Sequence, residues 1–278
     1  TLRQISNTNK PLIRNDVFGY TDKVHTNSNI TIIGGVLDFN GSNQSDTTAT
    51  GEVNVGCAFF GVKGLHFRGS TKFINARRYS FFAANCANIT FDDPVVENDP
   101  EIPSSNKDGL HFCGKIYGIS IKSIYVYNPE DDALAINADD VDHGGEWTRA
   151  NITGAIDNVW VGQVRVDGPS SHNGVRLLSA SPNTPISNVK IDSIVGKVDN
   201  YFLNIQPYGL GTSSVYHNID IGIIGGIYSV RTNPAFTHGM VNIYTMKPNP
   251  AVLNNIHIGQ IFRDQEIGDG QDRPTVQL

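Results

Sequence analysis

Short apolar runs with alternating polar positions recur along the whole chain, and most of them begin at an asparagine. The repeated pattern is Asn-apolar-x-apolar, with Gly in the Asn place in two copies. The copies begin at Asn29, Gly64, Asn88, Gly118, Asn158, Asn188, Asn218 and Asn255. From the second copy onward the interval varies between 24 residues (64 to 88) and 40 residues (118 to 158). A drifting period of this size is typical of stacked repeats with loops of variable length.

Each repeat contains a second apolar run after the first, as in 108–112, 133–136 and 201–205. The runs alternate with a period of two and are bounded by Gly, Asn, Asp and Pro, which predicts strands. Asn tolerates a left-handed backbone and bonds to nearby main chain, so we expect the repeated Asn residues to be structural and to form ladders between rungs. Polar segments predict loops at 42–55, 93–107, 138–156, 179–186 and 227–240.

The composition agrees with a single all-β domain over residues 1–278. Hydrophobic residues make up 39% of the chain, and 28 Gly and 13 Pro fit short strands joined by turns. The net charge of −6 repels phosphates, so we expect no nucleic-acid partner. The chain contains no run of about 18 apolar residues, so we expect no membrane span. Leu2 to Arg14 already reads as strand without a polar cap, so we expect this chain to be part of a longer protein.

The three cysteines, Cys57, Cys86 and Cys113, match neither a zinc site nor a disulfide framework. They lie about one repeat apart within apolar stretches. We therefore expect small buried residues that stack on successive rungs and have no redox or metal role.

Four segments, in the correct order, resemble motifs of pectin-lyase-like right-handed parallel β-helices. Asn29-Ile-Thr-Ile-Ile-Gly-Gly-Val-Leu-Asp-Phe-Asn-Gly is similar to their opening GGG-x-I-D-G-x-G segment. The segments Asn106-Lys-Asp-Gly-Leu-His-Phe, Asp131-Asp-Ala-Leu-Ala-Ile-Asn and Asn173-Gly-Val-Arg-Leu-Leu-Ser resemble the Asn-Thr-Asp-Gly, Asp-Asp-Cys-Ile-Ala-Ile and Gly-x-Arg-Ile-Lys motifs of polygalacturonase-like glycoside hydrolases. The resemblance implies an all-β fold, a single-stranded right-handed parallel β-helix.

Polysaccharide-degrading tailspike and appendage proteins of bacteriophages use similar β-helices, and this resemblance implies a homotrimer on the virion surface. A secreted microbial enzyme is the alternative. The Gly-His-Gly motif of polygalacturonases has no clean counterpart, and Leu177 and Leu178 follow Arg176 where the family has a Lys. Because that Lys helps to hold a uronic acid carboxylate, the resemblance does not extend to galacturonate as the substrate.

Three carboxyl groups are the expected catalytic residues: Asp108, Asp131 and Asp132. Asp131 and Asp132 follow Asp108 by 23 and 24 residues, about one turn of the solenoid, so their backbones should lie about 4.8 Å apart. Neighbouring carboxyl groups resist ionising together, which separates an acid from a base. By resemblance, Asp131 or Asp132 is the acid and the other two hold water, with the ~6.5–9.5 Å separation of inverting enzymes. The alternative is that these residues only form turns.

Five further residues are expected at the substrate. Arg176 would bind an anionic sugar or phosphate, or else form a structural ion pair with an Asp. His172, or alternatively His143, would tune the acid or bond to sugar hydroxyls. The resemblance adds Asn106, and Trp147 offers a ring for stacking. The acidic loop 139–147 has oxygen ligands for calcium but matches no established calcium loop, so we expect a solvated lid, no metal and no cofactor.

The function expected from these residues is an endo-acting, inverting glycoside hydrolase that degrades a bacterial surface polysaccharide during phage adsorption. Cell-wall teichoic acid, capsule and lipopolysaccharide are the possible targets, and no membrane partner is expected. Two alternatives stay open. One is a non-catalytic glycan-binding spike, and the other is a polysaccharide lyase on the same fold, which would use a Lys or Arg base.

Overall fold

A computed structural model describes residues 1–15, 27–47, 54–102, 106–138, 152–179, 181–207, 213–228, 239–243, 251–264 and 274–278. Within these residues the chain forms short and long strands and one short 3₁₀ helix, Gly41–Asn43. The strands are β1 (Leu2–Arg3), β2 (Ile13–Arg14), β3 (Asn27–Asp38), β4 (Cys57–Phe60), β5 (Val62–Ile74), β6 (Phe81–Ala84), β7 (Ala87–Phe91), β8 (Val95–Glu97), β9 (Leu110–Cys113), β10 (Ile116–Tyr127), β11 (Asp132–Asn137), β12 (Ile156–Asp167), β13 (Asn173–Ser179), β14 (Ile186–Val198), β15 (Tyr201–Pro207), β16 (Val215–Tyr228), β17 (Val241–Ile243), β18 (Val252–Asp264) and β19 (Val276–Gln277).

The strands form two long parallel sheets. The first has the order β1-β3-β5-β7-β10-β12-β14-β16-β18, and β8 also pairs with β5 and β10 as a continuation of β7. The second has the order β19-β17-β15-β13-β11-β9-β6-β4-β2. From β4 onward the chain alternates between the sheets and moves one place along each sheet per turn, which is a parallel β-helix solenoid and confirms the predicted fold class. One detail was wrong, because the predicted loop 93–107 contains β8.

The repeated Asn residues take the left-handed backbone that was predicted for them. The φ angles of the six Asn residues that begin the repeats lie between 53° and 61°, and Gly64 and Gly118 have φ of 80° and 81°. Each of these left-handed residues lies inside a strand of the first sheet, whereas the sequence pattern placed it at the turn before the strand. The predicted ladder forms on the exposed face: Asn255 Nδ2 donates to Asn218 Oδ1 at 3.0 Å, and Asn218 Nδ2 donates to Asn188 Oδ1 at 2.9 Å.

The main core lies between the two sheets and is filled by alternate residues of each strand. Phe67 and Phe91 stack there at 4.6 Å between ring centroids on neighbouring rungs. A smaller buried cluster covers the opposite, outward face of the second sheet and includes Phe82 and Tyr79. This outward face is where the predicted catalytic residues lie.

All three cysteines are buried, as predicted. Burial raises the pKa of the Cys86 thiol to about 12, so this residue is not a reactive thiolate. The expected stacking was wrong. Cys57 lies opposite Phe81 and Cys113 lies opposite Ala84, so the cysteines occupy different positions in their rungs.

None of the helices in the described part of the chain is long and apolar enough to cross a membrane.

Candidate active site

The stacking of β9 on β11 brings the three predicted carboxyl groups together. Leu110 lies opposite Leu134, and Asp108 precedes Leu110 by the same two residues by which Asp132 precedes Leu134. The backbone of Gly109 donates to the carbonyl oxygen of Asp132 at 2.9 Å. A Cβ at Gly109 would collide with the carbonyl oxygen of Ala133, so this close approach requires the glycine that follows Asp108. The adjacency of Asp108 and Asp132 on successive rungs is as predicted.

Asp108 is buried and is surrounded by hydrogen-bond donors. Its Oδ2 lies 2.6 Å from Nδ1 of His111, and its Oδ1 accepts from the backbone N–H of Asp132 at 3.0 Å. The imidazole of His111 stacks on the Tyr79 ring at 4.4 Å between ring centroids. Both oxygens of this buried carboxyl group therefore have a hydrogen-bond partner.

Asp132 is also buried and contacts two residues from later rungs. Asp132, Asn173 and Tyr201 lie opposite one another on β11, β13 and β15. The Tyr201 hydroxyl donates to Asp132 Oδ1 at 2.8 Å, and a guanidinium nitrogen of Arg176 lies 3.8 Å from Asp132 Oδ2. The ion pair with an Asp, one of the two alternatives predicted for Arg176, is therefore present.

Asp131 is the member of the three that is partly exposed to solvent. Its Oδ1 accepts from Asn173 Nδ2 at 2.8 Å. The Asn106 amide is best oriented with its nitrogen toward the cluster, since its oxygen would otherwise face two carboxylates. In that orientation it donates to Asp131 Oδ2 at 3.0 Å and to Asp108 Oδ1 at 3.3 Å. Asn106 thus bridges two catalytic candidates, where sequence analysis expected it to contact the substrate.

The electrostatics of the cluster favour retention of a proton near neutral pH. Burial first, and the negative charge of Asp108 second, raise the pKa of Asp131 from 3.8 to about 6. Burial, followed by the charge of Asp131, raises the pKa of Asp132 well above its usual value, against the opposing charge of Arg176. Burial also raises the pKa of Tyr201 well above 10, so its hydroxyl is a neutral donor to Asp132.

The carboxyl groups lie closer together than sequence analysis expected. One oxygen from each of Asp108, Asp131 and Asp132 lies within 4.8 Å of those of the other two, whereas inverting enzymes commonly have ~6.5–9.5 Å between their two carboxyl groups. Three carboxyl oxygens at this spacing could also bind a single metal ion. However, amide and hydroxyl donors and the Arg176 guanidinium already face them, and this donor set suits protons and water better than a metal ion.

Among the other predicted residues, His172 lies at the edge of the cluster and pairs with an acid. Its Nδ1 lies 2.8 Å from Asp199 Oδ1, and both side chains are mostly buried. A positive charge at His172 would oppose the rise that burial causes in the pKa of Asp131. His143 and Trp147 lie outside the described residues.

A buried ion pair lies directly beside the cluster. Lys107 is completely buried, and its Nζ lies 3.0 Å from Glu130 Oε1 and also donates to the backbone carbonyls of Asp99 and Ile102. Lys107 precedes Asp108, and Glu130 precedes Asp131. The pair therefore joins the two rungs immediately before their catalytic candidates and fixes the segment 99–102 against them.

Several residues that complete the site were not predicted from the sequence. These are His111, Tyr201, Asn173, Lys107 and Glu130. His111 lies in a quoted motif and three residues after Asp108, which is a signal that could have found it. Tyr201 reaches Asp132 from 69 residues away, and only the register of the rungs reveals this contact.

Taken as a class, the chain is a parallel β-helix with a hydrogen-bonded carboxyl cluster on the outward face of its second sheet. Comparison with known protein families, with curated proteins and with solved structures finds no match to this chain. The polygalacturonase-like and tailspike-like assignments therefore stay predictions from the motifs.

Proposed function

We propose that this chain is a polysaccharide-degrading, endo-acting glycoside hydrolase whose catalytic groups are Asp108, Asp131 and Asp132. The inverting outcome follows from the resemblance alone, because carboxyl oxygens within 4.8 Å of one another are closer than is common in inverting enzymes. The observation that carries the proposal is the convergence of three carboxyl groups, two of which, Asp131 and Asp132, have raised pKa values. Their oxygens lie within 4.8 Å of one another, and the pKa of the partly exposed Asp131 is raised to about 6. Glycosidic cleavage needs such a division between a proton donor and a charged carboxylate.

The geometry supports different roles for the three groups. Asp131 is the partly exposed carboxyl and can contact the glycosidic oxygen, so it is the general acid. Asp108 is surrounded by donors and supplies the negative charge that activates the attacking water. Asp132 lies on the same rung as Asp131 and is fixed by Tyr201 and Arg176 beside that water.

The finer assignment rests on the motifs. By resemblance, the hydrolase is polygalacturonase-like and belongs to a homotrimeric bacteriophage tailspike or appendage protein on the virion surface. Its substrate would then be a bacterial surface glycan, such as cell-wall teichoic acid, capsule or lipopolysaccharide. A solenoid with a long, rigid outward face suits an extended polymer of this kind.

A second candidate function is glycan binding without cleavage. The observation that favours it is the burial of Asp108 and Asp132, which leave only 2% and 1% of their surface exposed and are satisfied by internal donors. The third candidate, a lyase, has less support. It needs a Lys or Arg base, whereas Lys107 is held in an internal ion pair and Arg176 faces Asp132.

The test is the release of reducing ends from a panel of purified capsules, lipopolysaccharides and teichoic acids, with near-ultraviolet absorbance followed in parallel. Wild type is run beside Asp131→Asn, Asp132→Asn and the control Asp192→Asn, which removes an exposed carboxyl group from the first sheet. We expect new reducing ends without ultraviolet absorbance, and a loss of about 10²–10⁴-fold in the first two variants only.

Other outcomes would replace the proposal. Ultraviolet absorbance at the new ends would indicate an unsaturated product and hence a lyase. Binding of a glycan without any cleavage would indicate an adhesin. Equal rates in wild type and Asp131→Asn would remove Asp131 as the acid. A rate that rises with pH through about 6, instead of falling, would make Asp131 the base, since its pKa is raised to about 6.

A further inference from the structure

His111 is a buried histidine next to the cluster to which the catalytic scheme above gives no chemical role. Its Nδ1 lies 2.6 Å from Asp108 Oδ2, and each side chain is only 2% exposed. An ionised carboxylate can only accept hydrogen bonds, so Nδ1 must carry the proton that joins the pair. The remaining question is whether Nε2 also carries a proton, which would make His111 a cation.

Two features of the surroundings favour the cation and oppose the cost of burying its charge. Asp108 provides a negative charge at hydrogen-bond distance, and the Tyr79 and Phe82 rings stack on the imidazole at 4.4 and 5.4 Å between ring centroids. The faces of aromatic rings attract positive charge. On the other side, Nδ2 of Asn137 lies 3.4 Å from Nε2, an arrangement that suits an Nε2 without a proton. A half-turn of that amide presents its oxygen instead of its nitrogen, which makes it an acceptor for Nε2–H.

The charges around the cluster come closer to balance when His111 is protonated. Asp108, Asp131 and Asp132 face the guanidinium of Arg176, whose positive charge opposes the rise that burial causes in the pKa of Asp131 and of Asp132. With a neutral His111, three ionised carboxylates would leave two negative charges uncompensated in a mostly buried site, which is costly. A protonated His111 reduces this excess to one, and one proton shared within the cluster removes it.

We propose that His111 is a positioning residue that stays protonated and holds Asp108 as a carboxylate facing the attacking water. The proton that the cluster retains is then kept away from Asp108 and is left to the Asp131–Asp132 pair. His111 does not contact the substrate and acts only through Asp108. Only the orientation of the attacking water rests on the proposed hydrolase function. The protonation state of His111 can be measured without any substrate.

The first measurement uses the wild-type protein and imidazole ¹⁵N NMR, with the His111 signals assigned by their loss in His111→Asn. We expect both ring nitrogens of His111 to carry protons at pH 7 and above the pH at which Asp131 titrates. An unprotonated Nε2 at pH 7 would overturn the proposal. This measurement uses the variant only to assign the signals, and its result is valid even if the protein cleaves no glycan.

The second measurement uses His111→Asn, which places a neutral N–H donor near the position of Nδ1. Carboxyl ¹³C NMR should show that Asp108 takes up a proton at a higher pH than in wild type. The control is His257→Asn, which removes an exposed histidine whose Nδ1 lies 2.7 Å from Asp220 Oδ1. Unchanged titration of Asp108 in folded His111→Asn would contradict the proposal.

If a substrate is found, kinetics give a third readout that a purely structural role would not move. We expect His111→Asn to lower kcat by roughly tenfold to a hundredfold while KM changes little, because the water and not the glycan loses its partner. Loss of kcat in His257→Asn, or a change in KM alone in His111→Asn, would argue against positioning through Asp108.

Discussion

Replacing Asp131 by Asn should remove activity and, at neutral pH, remove a source of instability. The pKa of Asp131 is raised from 3.8 to about 6, chiefly by burial and by the charge of Asp108. The folded protein therefore binds this proton more tightly than the unfolded chain does. The stability that this provides is complete below about pH 4 and is lost as the pH rises through about 6.

The magnitude follows from the size of the shift. A shift from 3.8 to about 6 is about two units, and each unit is worth about 1.4 kcal/mol, which gives an upper bound of about 3 kcal/mol. Asp131 is partly exposed, so solvent screening reduces the effect to about 1–3 kcal/mol. For a chain of 278 residues, this corresponds to about 2–5 °C in Tm.

The assay is denaturant unfolding of wild type and Asp131→Asn at pH 4 and pH 7. The neutral side chain alters the hydrogen bonds to Asn106 and Asn173 at both pH values, so that cost cancels in the comparison. We expect the variant to gain about 1–3 kcal/mol relative to wild type between pH 4 and pH 7. Asp192→Asn should show no such gain. A variant that loses ground relative to wild type as the pH rises would refute the reasoning.

Three further predictions concern the rest of the scaffold. Tyr201→Phe removes the hydrogen bond to Asp132 and should cost about 0.5–1.5 kcal/mol of unfolding free energy; an unchanged denaturation midpoint would contradict this contact. Asn218→Ala should cost about 1–2 kcal/mol because φ is 53° there, and Asn218→Gly should cost less; equal unfolding midpoints for the two variants would argue against backbone strain. Cys86 should react with a thiol reagent only after unfolding, since its thiol is buried and its pKa is raised to about 12; rapid labelling of the native protein would show that the thiol is accessible.

Most of the fold could be predicted from the repeated Asn-led pattern. The period of the Asn-led runs was enough to predict a stacked all-β solenoid, because left-handed Asn bends recur once per rung and the strands between them alternate with a period of two. The position of each left-handed Asn inside a strand was not predictable, since sequence alone does not show that the pairing of β14 with β12 continues on both sides of Asn188. The sequence does not reveal the register between neighbouring strands of the second sheet either, so it could not show that Cys57 and Cys113 occupy different positions in their rungs.

The carboxyl cluster was predictable because Asp108 and Asp132 are separated by one turn of the solenoid. Its hydrogen-bond partners were not. Tyr201 reaches Asp132 across two rungs, and the lengths of the intervening loops hide that contact. Arg176 was given two possible roles, and only the distance of 3.8 Å to Asp132 distinguishes an internal ion pair from an open anion site.

The central claim is that water cleaves a glycosidic bond at the Asp108–Asp131–Asp132 cluster. The most direct test is mass spectrometry of products formed in H₂¹⁸O from the glycan that gives new reducing ends, with finished products incubated in the same water as the exchange control. We expect one ¹⁸O atom per cleaved bond with wild type and almost no product with Asp131→Asn. Cleavage without ¹⁸O, undiminished cleavage by Asp131→Asn, or no cleavage of any glycan that the protein binds would contradict the claim.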